Sequence, residues 1–245
     1  MNLRLLAILL FFCYQPLLAQ KLAAPDTVEH KTAAARHKIL KGVIAPAALI
    51  GIGLYTMQDH GLYSSFDASQ DARRSFPDFS TNADDYVFLI PVIGLYAFDA
   101  FSSQNRHEVG RQTTLLFSSA ALMGALVWPL KSVSNIDRPD NSNDHSFPSG
   151  HTSSAFVVAG VIDQEFRGKS PWISVGAYTI ASSTGVMRML NNKHWLSDVF
   201  AGAGFGLLSV HTVYYAHERF LKNKNITLFP SSTYGTQGLT LVATF

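Results

Sequence analysis

What most constrains this chain is a set of long segments with almost no charge. Residues 42–57, 86–101, 115–130, 172–189 and 199–215 are apolar runs of 16 to 18 residues, and their only charged members are Asp99 and Arg188. Runs of that length and texture read as helices rather than strands. A shorter sixth run, 153–162, follows a turn-rich stretch and extends through 163–166 as a more amphipathic helix. The predicted framework is therefore an all-α bundle of six helices. Crossing a bilayer takes roughly 17 to 25 apolar residues, so the runs sit at or just below that requirement. Two architectures meet the pattern: a tilted or partly monotopic membrane bundle, and a soluble all-α core. With 47% of residues hydrophobic and only 15% charged, the transmembrane bundle is the expectation.

The flanking segments divide the chain further. Residues 1–20 carry Arg4, a short apolar stretch and Ala19, which reads as a signal peptide or an N-terminal anchor. Leu17 is a poor fit to the small-residue rule for cleavage, so both versions stay open. Residues 21–38 form a polar basic linker, 39–220 the helical-bundle domain and 221–245 a C-terminal tail. In that tail 238–245 alternates, with Leu239, Leu241, Ala243 and Phe245 on one face of a β-like strand. Taken as alternating sides, the stretches 21–41, 102–112, 162–171 and 216–226 hold 12 Lys and Arg, against 5 in 58–85, 131–152 and 190–198. The positive-inside rule puts the long loop 131–152 outside, on the periplasmic face of a multi-pass inner-membrane protein of a bacterial envelope. A cleaved signal would leave Lys21 outside and invert that assignment for six spans.

Several function classes are excluded or weakened. A formal charge of +2 with no long basic run lacks the footprint of a nucleic-acid binder. The single cysteine, Cys13, allows neither a disulfide framework nor a Cys-based metal site. Gly202, Gly204 and Gly206 lie within an apolar helix and serve close packing rather than a dinucleotide. Asp137, Asp140 and Asp144 read as solvated loop acids, and no metal is expected.

Three short elements carry chemistry. Lys131 and Arg138 place two cations around a loop, and Pro139 disfavours α geometry at Arg138. Pro148-Ser149-Gly150-His151 precedes a helix start, where backbone N–H groups and a serine hydroxyl can hold an anion. Arg188, His194 and Asp198 form the third. The spacing of four puts His194 and Asp198 on one helical face, where the carboxylate can fix the imidazole tautomer and leave the other ring nitrogen free to attack. Taken singly, each has a bland alternative: a headgroup-facing charge pair, a helix N-cap, a surface ion pair.

Together and in order, K-x6-RP (131–139), PSGH (148–151) and R-x5-H-x3-D (188–198) make the chain resemble a type 2 phosphatidic acid phosphatase, of the superfamily that also holds bacterial nonspecific acid phosphatases and vanadium haloperoxidases. The resemblance covers about residues 38–220. It implies a metal-independent phosphatase without cofactors, hydrolysing a phosphate monoester or diphosphate, expected to be that of a lipid. His194 would be the nucleophile of a phosphohistidine intermediate, Asp198 its orienting partner, and His151 the acid for the leaving oxygen. Lys131, Arg138, Ser149, Gly150 and Arg188 would bind the phosphoryl oxygens. The family usually has Ser before the third-motif arginine, where this chain has Met187. The partners implied are a lipid phosphate and membrane lipids. A vanadate-dependent haloperoxidase and a catalytically silent membrane scaffold are the competing readings.

Overall fold

The computed structural model describes residues 28–58, 62–87, 89–101, 106–221, 225–233 and 236–244. The segment read as a signal peptide or anchor lies outside these residues, as do Cys13 and Phe245. Among the described residues there are seven α-helices: α1 (Val28–Thr56), α2 (Ser65–Ser75), α3 (Leu89–Phe101), α4 (Val109–Ser134), α5 (Gly150–Phe166), α6 (Pro171–Leu190) and α7 (Leu196–Ala216). The count of six is corrected by α2, which no long apolar run announces. Its start is fixed by a capping box: Ser64 Oγ accepts from Asp67 N at 3.1 Å, and Asp67 Oδ2 accepts from Ser64 N at 3.0 Å. The stretch expected as a linker is helical from Val28 onward. At the far end the tail is a two-stranded antiparallel hairpin, β1 (Asn225–Thr233) and β2 (Thr236–Thr244), so the strand expected near 238–245 has a partner that sequence reading missed.

Helix α7 runs through the centre, with α1, α4 and α5 around it and α6 against α5. Its glycines explain how the backbones come so close. A Cβ at Gly202 would lie 2.6 Å from Ser149 O, and one at Gly206 would lie 2.5 Å from Ser153 O, both on or beside α5. Gly204 meets α1 in the same way, 2.8 Å from Pro46 O. The Gly-x-Gly-x-Gly row is thus a packing device, and it presses the start of α5 onto the start of α7. The core is built from α5 and α7 side chains such as Phe156, Val157, Val161, Val199, Phe200 and Val210.

α4 is different. Both α4 and α7 are apolar enough and long enough to cross a membrane, but only 22% of the α4 window is buried, against 72% for the α7 window. α7 is accounted for by its place in the core. α4 instead presents Phe117, Trp128 and Val133 outward.

A second buried polar cluster closes the end of the bundle opposite the start of α5, about 22 Å away at the helical rise of 1.5 Å per residue. Glu165, whose side chain is fully buried, accepts from His107 N at 3.0 Å and from the Tyr214 hydroxyl at 2.7 Å, and lies 2.8 Å from His107 Nδ1. It ties the segment before α4 to α5 and α7. Glu165→Ala leaves the part-buried histidine and the buried tyrosine without their acceptor and is expected to cost about 3 kcal/mol, read as a lowered midpoint in thermal unfolding. A midpoint within the error of wild type would show that this cluster does not hold the bundle together.

Candidate active site

The site forms where the C-terminal end of α4, the N-terminal ends of α5 and α7 and the C-terminal end of α6 meet. Asp198 lies in the first turn of α7 and is fully buried. Its Oδ2 accepts from Trp195 N at 2.9 Å, capping the helix, and from Ser146 Oγ at 2.5 Å, and it faces His194 Nδ1 at 3.2 Å. His194 is therefore held at Nδ1, which leaves Nε2 as the nitrogen without a partner among the described residues. Burial pushes the His194 pKa down to about 4 against the upward pull of Asp198, so the ring is neutral near pH 7.

The PSGH segment is locked to this pair through the backbone. Ser149 N donates to Asp198 O at 3.0 Å, the contact that Gly202 makes room for. Ser149 caps α5: its Oγ accepts from Thr152 N at 3.4 Å and from Thr152 Oγ1 at 3.0 Å. Gly150 and His151 follow as the first residues of the helix. The α5 N-terminus with its open N–H groups thus starts beside His194.

Lys131 and Arg138 arrive from the other side. Lys131 Nζ donates to His145 O at 2.7 Å and to Ser146 O at 3.2 Å, which anchors it against the loop. Arg138 is braced by Asn143, whose Oδ1 accepts from Arg138 Nε at 2.9 Å, so its terminal amino groups stay open. Lys131, Arg138, Gly150, His151 and His194, together with Ser154, line one cleft of about 360 Å³, and Met123, Val127 and Trp128 form its apolar wall. Asp140, set aside above as a metal ligand, takes a 2.6 Å hydrogen bond from Lys193.

Not every expected residue reaches the cleft. Ser149, Asp198 and Arg188 do not line it. Arg188 is buried and donates from Nη1 to Asp84 Oδ2 at 2.6 Å, while its buried Nε has no hydrogen-bond partner among the described residues. Asp84 and Asp85 were missed by sequence reading and come from a 3-10 turn, Ala83–Asp85. Asn191 pins that turn, donating to Thr81 O at 2.8 Å and to Asp84 Oδ1 at 2.9 Å and accepting from Thr81 N at 3.0 Å. Nothing local in the sequence links Asp84 to a partner 104 positions away. Ser146 was also missed, although it lies only two positions before Pro148.

A buried histidine oriented by a carboxylate, facing a cleft with two cations, a helix start and a second histidine, is a site for an oxyanion bonded to something else. Residues 112–222, which include the motif residues from Lys131 to Asp198, match the model of the PAP2 superfamily. Among known proteins it is similar to a lipid A 1-phosphatase of Porphyromonas gingivalis, 38% identical over 131 residues, which is 53% of this chain and 29% of that protein. The chain therefore spans less than a third of that relative's length. Among solved structures it is similar to the crystal structure of Aquifex aeolicus LpxE, with a TM-score of 0.44 and 22% identity over 59% of this chain and 93% of that one.

Proposed function

We propose that the protein is a phosphoric ester hydrolase that removes phosphate from a lipid through a phosphohistidine on His194, without a metal ion. The observation that carries this reading is the His194–Asp198 pair at the cleft: a neutral, buried imidazole with one nitrogen held and the other free. Phosphoryl transfer demands in-line positioning and neutralised oxygens more than covalent help from the protein. Lys131, Arg138 and the N–H groups at the start of α5 would bind those oxygens, with the buried Arg188 adding positive charge behind them. His194 Nε2 would attack phosphorus while His151 gives a proton to the departing oxygen. His151 would then activate water to hydrolyse the phosphohistidine.

A lipid substrate is supported by the wall of the cleft. Met123, Val127 and Trp128 lie on α4 beside Lys131, and Trp128 is 76% exposed. A headgroup phosphate among the cations would leave its apolar body along this face, and the outward apolar surface of α4 fits a bilayer around it. In this reading the chain is a membrane protein of a bacterial envelope with the cleft at the periplasmic headgroups. The lipid A 1-phosphatase relative directs the first substrate tried toward lipid A phosphate.

Purified protein in excess EDTA is expected to release inorganic phosphate from at least one of lipid A phosphate, phosphatidic acid, phosphatidylglycerophosphate and an isoprenyl diphosphate, and to be inhibited by vanadate, which resembles the five-coordinate transition state. Loss of activity in EDTA with recovery on adding Mg²⁺ would overturn the metal-free mechanism.

A further inference from the structure

The acidic turn between α2 and α3 reaches the site from outside all three motifs. Asp85 Oδ1 lies 3.0 Å from His151 Nε2, and the same oxygen lies 3.6 Å from Arg188 Nη1. Its neighbour Asp84 is buried on Arg188. The arrangement repeats that of His194: one nitrogen faces a carboxylate, and the other, here Nδ1, has no partner among the described residues. We propose that Asp85 is a positioning residue for His151, holding Nε2–H and favouring the protonated ring, so that Nδ1–H is directed to the leaving oxygen. This rests on the phosphatase reading above, in which His151 is the general acid.

The surrounding charges make such a partner necessary. His151 is faced by Arg188 from α6, by Lys131 and Arg138 from the end of α4 and the loop after it, and by His194 from the segment before α7. Burial and Arg188 push its pKa below the ordinary histidine value, and Asp85 and Asp84 offset only part of that fall. Asp84 blunts Arg188, and Asp85 faces the imidazolium directly. In the step itself the His194 Nε2–P bond forms, the P–O bond to the alcohol breaks, and the alcohol oxygen takes the Nδ1 proton of His151. His151 then carries a single proton, on Nε2 toward Asp85.

The test is the titration of His151 in full-length protein labelled with ¹⁵N-histidine, comparing wild type with Asp85→Asn. Removing an opposite charge at this distance is expected to lower the His151 pKa by about one unit. Because a general acid works only while protonated, the alkaline limb of kcat/KM for a lipid monoester should move down by the same amount. The limb for p-nitrophenyl phosphate should stay in place, and Asp85→Glu should restore the first limb. Asp85→Ser, smaller and also uncharged, must give the same fall in pKa, which separates charge from folding. An unchanged His151 titration in both uncharged variants overturns the proposal. Absence of wild-type turnover on every lipid would overturn the phosphatase reading instead, while the titration would still decide whether Asp85 holds the His151 proton.

Discussion

His194→Ala is expected to abolish turnover, with a loss at least on the order of 10⁴-fold, the scale seen when the nucleophile of a covalent hydrolase is removed. The reason is geometric. Asp198 Oδ2 faces Nδ1 of His194, so the attacking atom in the wild-type site would be Nε2, and the other imidazole lining the cleft, His151, faces Asp85 and is the one proposed to handle the leaving-group proton. Ser149 is nearby, but its hydroxyl is buried and occupied in capping α5. Wild-type enzyme quenched during turnover should therefore carry acid-labile phosphate on His194. The pH dependence follows from the neutral ring. A nucleophile must be unprotonated, and burial holds His194 down at about 4, so its acid limb should fall only as pH drops through that region rather than near the ordinary histidine value of about 6.5. Phosphate recovered on Ser149, or an alanine variant that still turns over, would assign the nucleophile elsewhere.

How much of this was legible in the sequence depended on range. His194 and Asp198 were readable as a pair because they are four apart, and the structure pairs them, although His194 stands in the segment before α7 rather than on a helical face. Lys131 and Arg138 were readable as two cations around one loop, and both line the cleft. The central apolar runs became helices because long uncharged segments have few other ways to satisfy their backbone. α2 was missed because apolar content was followed and capping was not: Ser64 and Asp67 stand three apart before Ala68 and Ala72, which are buried, and that signal was available. Asp84 and Asp85 were beyond reach. An acidic stretch between helices is ordinarily solvated, and only the clamp by Asn191, more than a hundred residues later, brings these carboxylates to Arg188 and His151. Arg188 accordingly departs from the plain reading of a cation in the cleft. One of its amino groups is engaged by Asp84, its Nε is buried, and it stands behind the cleft rather than on its lining.

The second large effect concerns His151, and its size should depend on the substrate. A general acid matters in proportion to the negative charge that accumulates on the leaving oxygen. A sugar or glycerol alkoxide gathers most of that charge and should need the proton. Nitrophenolate spreads its charge over the ring and should need it little. His151→Ala is therefore expected to slow phosphate transfer from a lipid monoester by about 10²- to 10⁴-fold, the range typical of general acid catalysis, while p-nitrophenyl phosphate loses far less. Arg138→Ala supplies the contrast. Its guanidinium, braced at Nε by Asn143 with the terminal amino groups open, would bind oxygens of the transferring phosphoryl group itself, so its removal should harm both esters alike. Because His151 would also activate water against the phosphohistidine, that later step can limit the nitrophenyl reaction and hide the difference in steady state. Rapid-mixing measurement of the first nitrophenolate burst isolates phosphate transfer from hydrolysis. Equal slowing of that first step for both esters would make His151 one more contact to phosphate rather than the proton donor to the leaving group.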